Sequence, residues 1–121
     1  MAYTYDDLRN LPDDWDGEPN AAHPSEASIR VLQSLEPAVF AAGLVANPEP
    51  DAWQGCGFYF ESTKPDVRRT AWLHVADRGT VTAVLTERDP GVRVASLALD
   101  PADPGPALAK VAAFLSGASD G

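Results

Sequence analysis

The stretch TAWLHVADRGTVTAVLT, residues 70–86, decides the fold of this 121-residue chain. Side chains alternate in polarity along its first half, and a period of two is typical of a half-buried strand. One face carries Ala71, Leu73 and Val75, and the other carries Trp72 and His74. The second half, 80–86, is rich in β-branched residues and follows a short turn at 77–79. The stretch therefore predicts two antiparallel strands.

Two further strands are predicted on either side of this pair. From residue 54 the same alternation sets Cys56, Phe58 and Phe60 against Gly57, Tyr59 and Glu61. The run 92–99 follows the turn residues 89–91 and supplies the fourth strand. Because short connections make successive strands antiparallel neighbours, we predict a four-stranded antiparallel meander.

Helical patterns lie at both ends of the chain. A short helix over 4–10 is capped by Thr4, and a longer one begins at Pro24-Ser25 and places Ser28, Val31, Leu32 and Leu35 on one side. Pro37 interrupts that helix or begins a second short turn that ends at Gly43, and 47–51 reads as a linker. A final helix is predicted from Pro106 to Gly117. We therefore expect an α+β fold with an N-terminal and a C-terminal helix packed on one face of the sheet.

Length and composition favour a single domain over 1–121. The chain is 45% hydrophobic, has one cysteine and two histidines, and contains no apolar run long enough to cross a membrane. A lone cysteine forms no internal disulfide, and the start lacks a signal-peptide pattern, so we expect a cytoplasmic protein. We expect no cofactor and no structural metal.

The charge is unevenly distributed along the chain. The net charge is −9, and residues 1–26 hold seven acids against one base, so 1–24 is treated as an acidic, proline-rich N-terminal segment of the domain. Residues 64–93 hold six bases against four acids. The acids either form a solvated surface, fold back on the basic strands, or present a negative face to a cationic partner. Direct binding of nucleic acid is disfavoured, because phosphates would be repelled.

The candidate binding residues follow from this segment. Trp15 lies among four acids and either packs on the domain or is an exposed interface residue. Trp53 is a second candidate aromatic contact. The acids are Asp13, Asp14, Asp16 and Glu18. They lack the spacing of a calcium-binding EF-hand loop, so no metal site is predicted.

The amino-acid sequence gives little support for a catalytic function. Cys56 and His74 lie on strands that are possible neighbours, which allows a Cys–His dyad, whereas a buried structural cysteine is the plainer interpretation. No phosphate-binding, hydrolase or zinc-protease motif occurs in the sequence. We therefore predict that the protein is not an enzyme.

The start of the chain carries one resemblance. The pattern Leu11-Pro12-x-x-Trp15-Asp16-Gly17, a following helix at Pro24-Ser25 and an aromatic strand over 57–61 resemble short bacterial and prophage accessory proteins with a Leu-Pro-x-x-Trp-Asp-Gly start. In that class the strand commonly ends in Glu-Trp, whereas Ser62 follows Glu61 here. The resemblance implies a setting of mobile elements and small accessory genes, and no activity.

These observations lead to one main functional prediction and two alternatives. The main one is a noncatalytic inhibitor of anti-CRISPR, immunity-protein or antitoxin type that binds a cationic protein, such as a nucleic-acid-binding protein or a toxin. Its acids would then stand in for phosphates. The first alternative is an adaptor that self-associates through an open sheet face, bearing Trp72 and His74, or through an edge strand. The second is an enzyme that uses Cys56.

Overall fold

The computed structural model of the protein describes residues 3–12, 15, 17, 23–51, 55–88 and 91–117. Three helices and five strands occur within these ranges. The helices are α1 (Tyr5–Arg9), α2 (Glu26–Ala41) and α3 (Gly105–Leu115); the strands are β1 (Pro48–Pro50), β2 (Cys56–Glu61), β3 (Arg69–Val75), β4 (Val81–Glu87) and β5 (Arg93–Leu99). The predicted α+β class is confirmed. In the described part of the chain, no helix is both long enough and apolar enough to span a membrane.

The strands form one antiparallel meander in the order β1-β2-β3-β4-β5. The four predicted strands are all present, but the prediction of a four-stranded sheet is wrong. Pro48–Pro50, predicted to be part of a linker, pairs with Cys56–Phe58 as a fifth strand. Two prolines in three residues hid this strand, because proline donates no backbone hydrogen bond. An edge strand tolerates them, since its outer side needs no partner.

The register sorts the side chains between two faces. Phe58, Leu73, Ala83 and Leu97 form one row across four strands, and the inner members of this row are fully buried. The alternate row contains Gly57, His74, Thr82 and Ala98 on the opposite face. The buried residues of the sheet and of all three helices form one hydrophobic core. The helices therefore pack against the sheet as predicted.

Helix α2 begins at the predicted cap, where Ser25 Oγ accepts a hydrogen bond from the Ser28 backbone N–H at 3.1 Å. It runs without interruption through Pro37, contrary to the expected break. Pro37 is exposed while Leu35 and Val39 on either side of it are fully buried, so core packing holds the helix together across the proline. The helix ends before Gly43, whose φ of 80° suits a glycine after the last turn.

The short terminal helices also start where the sequence predicts. In α1, Thr4 Oγ1 accepts from the Asp7 N–H at 3.1 Å, and Asp7 Oδ2 accepts from the Thr4 N–H at 2.8 Å. This reciprocal cap and the burial of Leu8, which is 1% exposed, hold a five-residue helix that would be unstable alone. Helix α3 has Pro106 in its first turn and ends before Gly117, at φ 87°.

Candidate functional site

The meander places the ends of alternate strands together and thereby separates the charges. β1, β3 and β5 finish at one end of the sheet, and each leads into an aspartate within two residues. Glu49 in β1 and Asp103 in the turn before α3 lie at the same end. Five carboxylates are therefore found there: Glu49, Asp51, Asp77, Asp100 and Asp103. Arg78 is the one Lys or Arg among the described residues of the same strand ends and turns. We call this the acidic end.

The opposite end of the sheet carries most of the bases. Among the described residues, six bases lie in the strand ends, the loops and the facing part of α3: Lys64, Arg68, Arg69, Arg88, Arg93 and Lys110. Three described acids accompany them: Glu61, Asp66 and Glu87. The acids and bases of the described strand ends are thus separated along the direction of the strands. We call this the basic end.

Within residues 1–24, the acid-rich segment 10–24 is bracketed by residues that contact each other near the acidic end. Arg9 Nε, at the end of α1, lies 3.2 and 3.0 Å from the two carboxylate oxygens of Glu26, at the start of α2. His23 Nε2 lies 3.0 Å from the carbonyl oxygen of Leu11. Ser25 Oγ donates to the carbonyl oxygen of Asp77 at 2.7 Å, which joins the start of α2 to the β3–β4 turn. The residues before and after the segment 10–24 are therefore joined beside the acidic end.

The electrostatics of this closure are consistent with its geometry. The hydrogen bond from Arg9 lowers the pKa of Glu26, and the same hydrogen bond raises the pKa of Arg9. Arg30 adds a second contact to Glu26 at 3.3 Å. Arg9 and Glu26 are therefore both charged at neutral pH, as their ion pair requires.

The predicted binding residues are only partly within the described ranges. Trp15 is half-buried, and its backbone N–H donates to the carbonyl oxygen of Pro12 at 3.1 Å. Gly17 has φ 90°, as a turn glycine does. The remaining predicted residues, Asp13, Asp14, Asp16, Glu18 and Trp53, lie outside the described residues. In the chain, the first four lie between Leu11 and His23, and Trp53 lies between the joined residues Asp51 and Gly55.

A carboxylate–imidazole contact closes the β1–β2 loop at the acidic end. Asp51 Oδ1 accepts from the Gly55 N–H at 3.1 Å, and the Asp51 N–H donates to the Gly55 carbonyl at 3.1 Å. Asp51 Oδ2 contacts His74 Nε2 on β3. The Asp51 side chain is only 15% exposed, so among the five carboxylates of the acidic end it is the one held mainly by an internal contact. Sequence reasoning missed the contact because it joins a predicted linker to a strand.

The structure does not bring Cys56 and His74 together. Cys56 pairs with Val75 and points into the core, whereas His74 pairs with Gly57 and lies on the other face. Cys56 is fully buried, its Sγ is 3.6 Å from Ser28 Oγ, and burial raises the pKa of its thiol to about 11. The geometry thus leaves the possible dyad unformed. Within the described ranges, no three His, Cys, Asp or Glu side chains are grouped to hold a metal ion.

The face opposite the helices is acidic at its strand positions. Glu49 and Glu61 lie there, and the other positions of the five strands on this face hold no Lys or Arg. Trp72 lies over Gly57 and stacks at 6.2 Å on the ring of His74. Both rings are therefore engaged within the molecule, while Tyr59 beside them is 37% exposed.

A groove lies at the basic end between α3 and β5. Its volume is about 380 Å³, its floor includes Leu85, Leu97 and Phe114, and Arg93 and Lys110 line its rim. Arg69 closes one side: its Nε lies 2.6 Å from Glu87 Oε2, and its Nη1 donates to the Phe114 carbonyl at 2.8 Å. The guanidinium also lies 4.6 Å from the centre of the Phe114 ring.

Comparisons with known proteins assign no class to this arrangement. No family model matches the chain, and neither a curated protein nor a solved structure does. The two charged ends and the groove must therefore be interpreted on their own chemistry.

Proposed function

We propose that this protein is a noncatalytic inhibitor that binds a cationic surface of another protein through its acidic end. The observation that carries the proposal is the convergence of two acidic features. Three strands lead into aspartates at one end of the sheet, and residues at the two ends of the acid-rich segment 10–24 contact each other beside that end. The acids at the ends of β1, β3 and β5, which are far apart in sequence, thus lie at one end of the sheet.

The physical consequence of this convergence is fast, oriented association. A concentrated negative field attracts a positive partner and turns it toward the acidic end, and it repels nucleic acid. Aromatic contacts supply the affinity that charge alone does not, and Trp15 and Trp53 are the proposed contacts. Both are close in sequence to residues named above: Trp15 lies within the segment 10–24, and Trp53 lies between Asp51 and Gly55.

The target class follows from the chemistry of the segment. Asp13, Asp14, Asp16 and Glu18 form a run of carboxylates that can pair with arginines or lysines in the way that backbone phosphates do. A nucleic-acid-binding protein or a toxin with a basic active surface therefore fits, as in inhibitors of anti-CRISPR, immunity or antitoxin type. The burial of the Cys56 thiol and its separation from His74 support a noncatalytic function.

The alternative function, an adaptor that self-associates through the open sheet face, has less support. Trp72 packs over Gly57, and His74 contacts Asp51, so both rings already make contacts within the molecule. The edge strand β5 offers a separate surface.

The proposal is tested by replacing four acids of the segment with their uncharged amides, which have nearly the same size. The variant D13N/D14N/D16N/E18Q is compared with wild type for affinity to the partner captured from the native host, at low and at high salt. We expect at least a tenfold weaker Kd at low salt, about 1.4 kcal/mol, and a smaller difference at high salt. Equal affinity of the two proteins at low salt would contradict the proposed role of these acids.

A further inference from the structure

The two edges of the sheet are protected very differently. At one edge, β1 is three residues long and two of them are prolines, which leaves little backbone for another strand to pair with. At the other edge, β5 has seven residues, contains no proline, and stays in register with β4 from Arg93 to Leu99 without a bulge. Apart from the charge of Arg93 at its start, β5 thus lacks the usual features that stop an edge strand from pairing.

The side chains of β5 are also unusually exposed. Residues 93–96 and Ala98 are exposed, although a strand packed against helices is normally buried on one face. Val94 is 64% exposed, and Val92, just before the strand, is 67% exposed. Leu97 is only partly buried at the mouth of the groove beside α3. An apolar strand with a free backbone edge and exposed side chains fits another strand as its partner.

We propose that β5 pairs antiparallel with β5 of a second copy of this chain and joins two five-stranded sheets into one of ten strands. This inference does not depend on the proposed function, since it concerns a different edge of the molecule and needs no other protein. The chemistry that favours a second copy, rather than an unrelated strand, is the distribution of charge at the two ends of β5.

An antiparallel pair of identical strands places unlike ends side by side. The basic end of one copy, with Arg93 at the start of β5, then lies beside the acidic end of the other, where Asp100 follows β5 and Asp103 follows shortly after. A parallel arrangement would instead put the two basic ends together. The charge polarity of the sheet therefore selects the antiparallel dimer.

The register follows from symmetry. In a continuous antiparallel sheet, the two-fold axis is perpendicular to the sheet, and paired residues point to the same face. Odd-numbered residues of β5 thus pair with odd-numbered residues of the second copy, and even-numbered with even-numbered. The register that uses all seven residues is centred on Ser96, the middle of Arg93–Leu99. Ser96 then faces its own copy, and Ala95 faces Leu97 of the second copy. This pairing places Leu97 of one copy against Ala95 of the other, a small residue that lines the groove.

The first test measures the oligomeric state by sedimentation equilibrium. Wild type is expected to dimerise with concentration, and Ser96→Lys is expected to weaken the dimer at least tenfold, because each new lysine directly faces its own copy. Val45→Lys is the matched control: Val45 is 65% exposed but lies between α2 and β1. It should dimerise as wild type does. A wild type that stays monomeric at the highest concentration, or S96K that dimerises as tightly as wild type, would overturn the proposal.

The second test reads the register and does not depend on how Ser96→Lys folds. Ser96→Cys should form an intermolecular disulfide under mild oxidation, because cross-strand partners lie about 5 Å apart. Val94→Cys should not, since Val94 and its copy are offset by four residues, roughly 13 Å along the strands. The native Cys56 is fully buried and does not interfere. If V94C cross-linked as readily as S96C, the dimer centred on Ser96 would be contradicted. The same holds if neither variant cross-linked.

Discussion

Gly57 is a position at which the sheet tolerates little change. It lies in β2, opposite His74 in register, and the ring of Trp72 packs over it. A Cβ at this position would lie 2.4 Å from the Leu73 carbonyl oxygen and 2.7 Å from two atoms of the Trp72 ring. The tryptophan could rotate away, but the carbonyl belongs to the backbone of β3. Gly57→Ala therefore forces β2 and β3 apart.

The cost of Gly57→Ala can be worked from these contacts. Overpacking a tight site costs about 1–3 kcal/mol, and a fixed backbone atom puts this case near the upper limit. Alanine recovers about 0.5–1 kcal/mol because it restricts the unfolded chain. We therefore expect a net loss of roughly 2 kcal/mol in the free energy of unfolding, or a fall in Tm of about 8 °C for a domain of this size.

Urea unfolding followed by far-ultraviolet circular dichroism measures this loss without depending on Trp72 fluorescence. The matched control is Gly91→Ala, because Gly91 lies between β4 and β5 and a Cβ there would meet nothing within 4 Å. That variant should stay within about 0.5 kcal/mol of wild type. If both variants unfolded at the same urea concentration, the close packing of Trp72 and Leu73 against Gly57 would be refuted.

Three further predictions concern other parts of the molecule. The Cys56 thiol, with its pKa raised to about 11, should react with a disulfide reagent far more slowly at neutral pH than in the urea-unfolded chain, and equal rates would contradict its burial. Leu8→Ala should cost about 2–5 kcal/mol in urea unfolding because Leu8 is 1% exposed; a loss below about 1 kcal/mol would show that α1 is not part of the core. Arg69→Met should lower the free energy of unfolding by about 1–3 kcal/mol, measured by thermal unfolding, because Glu87 and the Phe114 carbonyl lose a partly buried partner. Adding Glu87→Gln to Arg69→Met should recover part of that loss.

Much of the fold follows from local patterns. The alternation in residues 70–86, the caps at Thr4 and Ser25, and Gly43 after α2 all predict elements that the structure contains. These features depend only on neighbouring residues. The same local rules failed at Pro48–Pro50 and at Pro37, where proline predicts a break but tertiary contacts decide the outcome.

The candidate site was less predictable because it depends on register and topology. Alternation along β2 and β3 does not say whether Cys56 pairs with His74 or with Val75, and one residue of slip exchanges the faces. The acidic end had a usable signal. Asp77 and Asp100 each follow a predicted strand, and a meander brings alternate strand ends together. The basic groove had none, since Arg93 and Lys110 are 17 residues apart and meet only through packing of α3.

The most direct test of the central claim compares the two ends of the sheet in one binding measurement. E49Q/D77N removes two charges from the acidic end, and E61Q/D66N removes two from the basic end; neither variant alters β5 or the segment 10–24. The rate constant for association with the captured partner is measured at low salt by surface plasmon resonance. A several-fold slower association for E49Q/D77N, with E61Q/D66N close to wild type, is the predicted result, whereas equal slowing by both variants would show that net charge, and not the acidic end, directs binding.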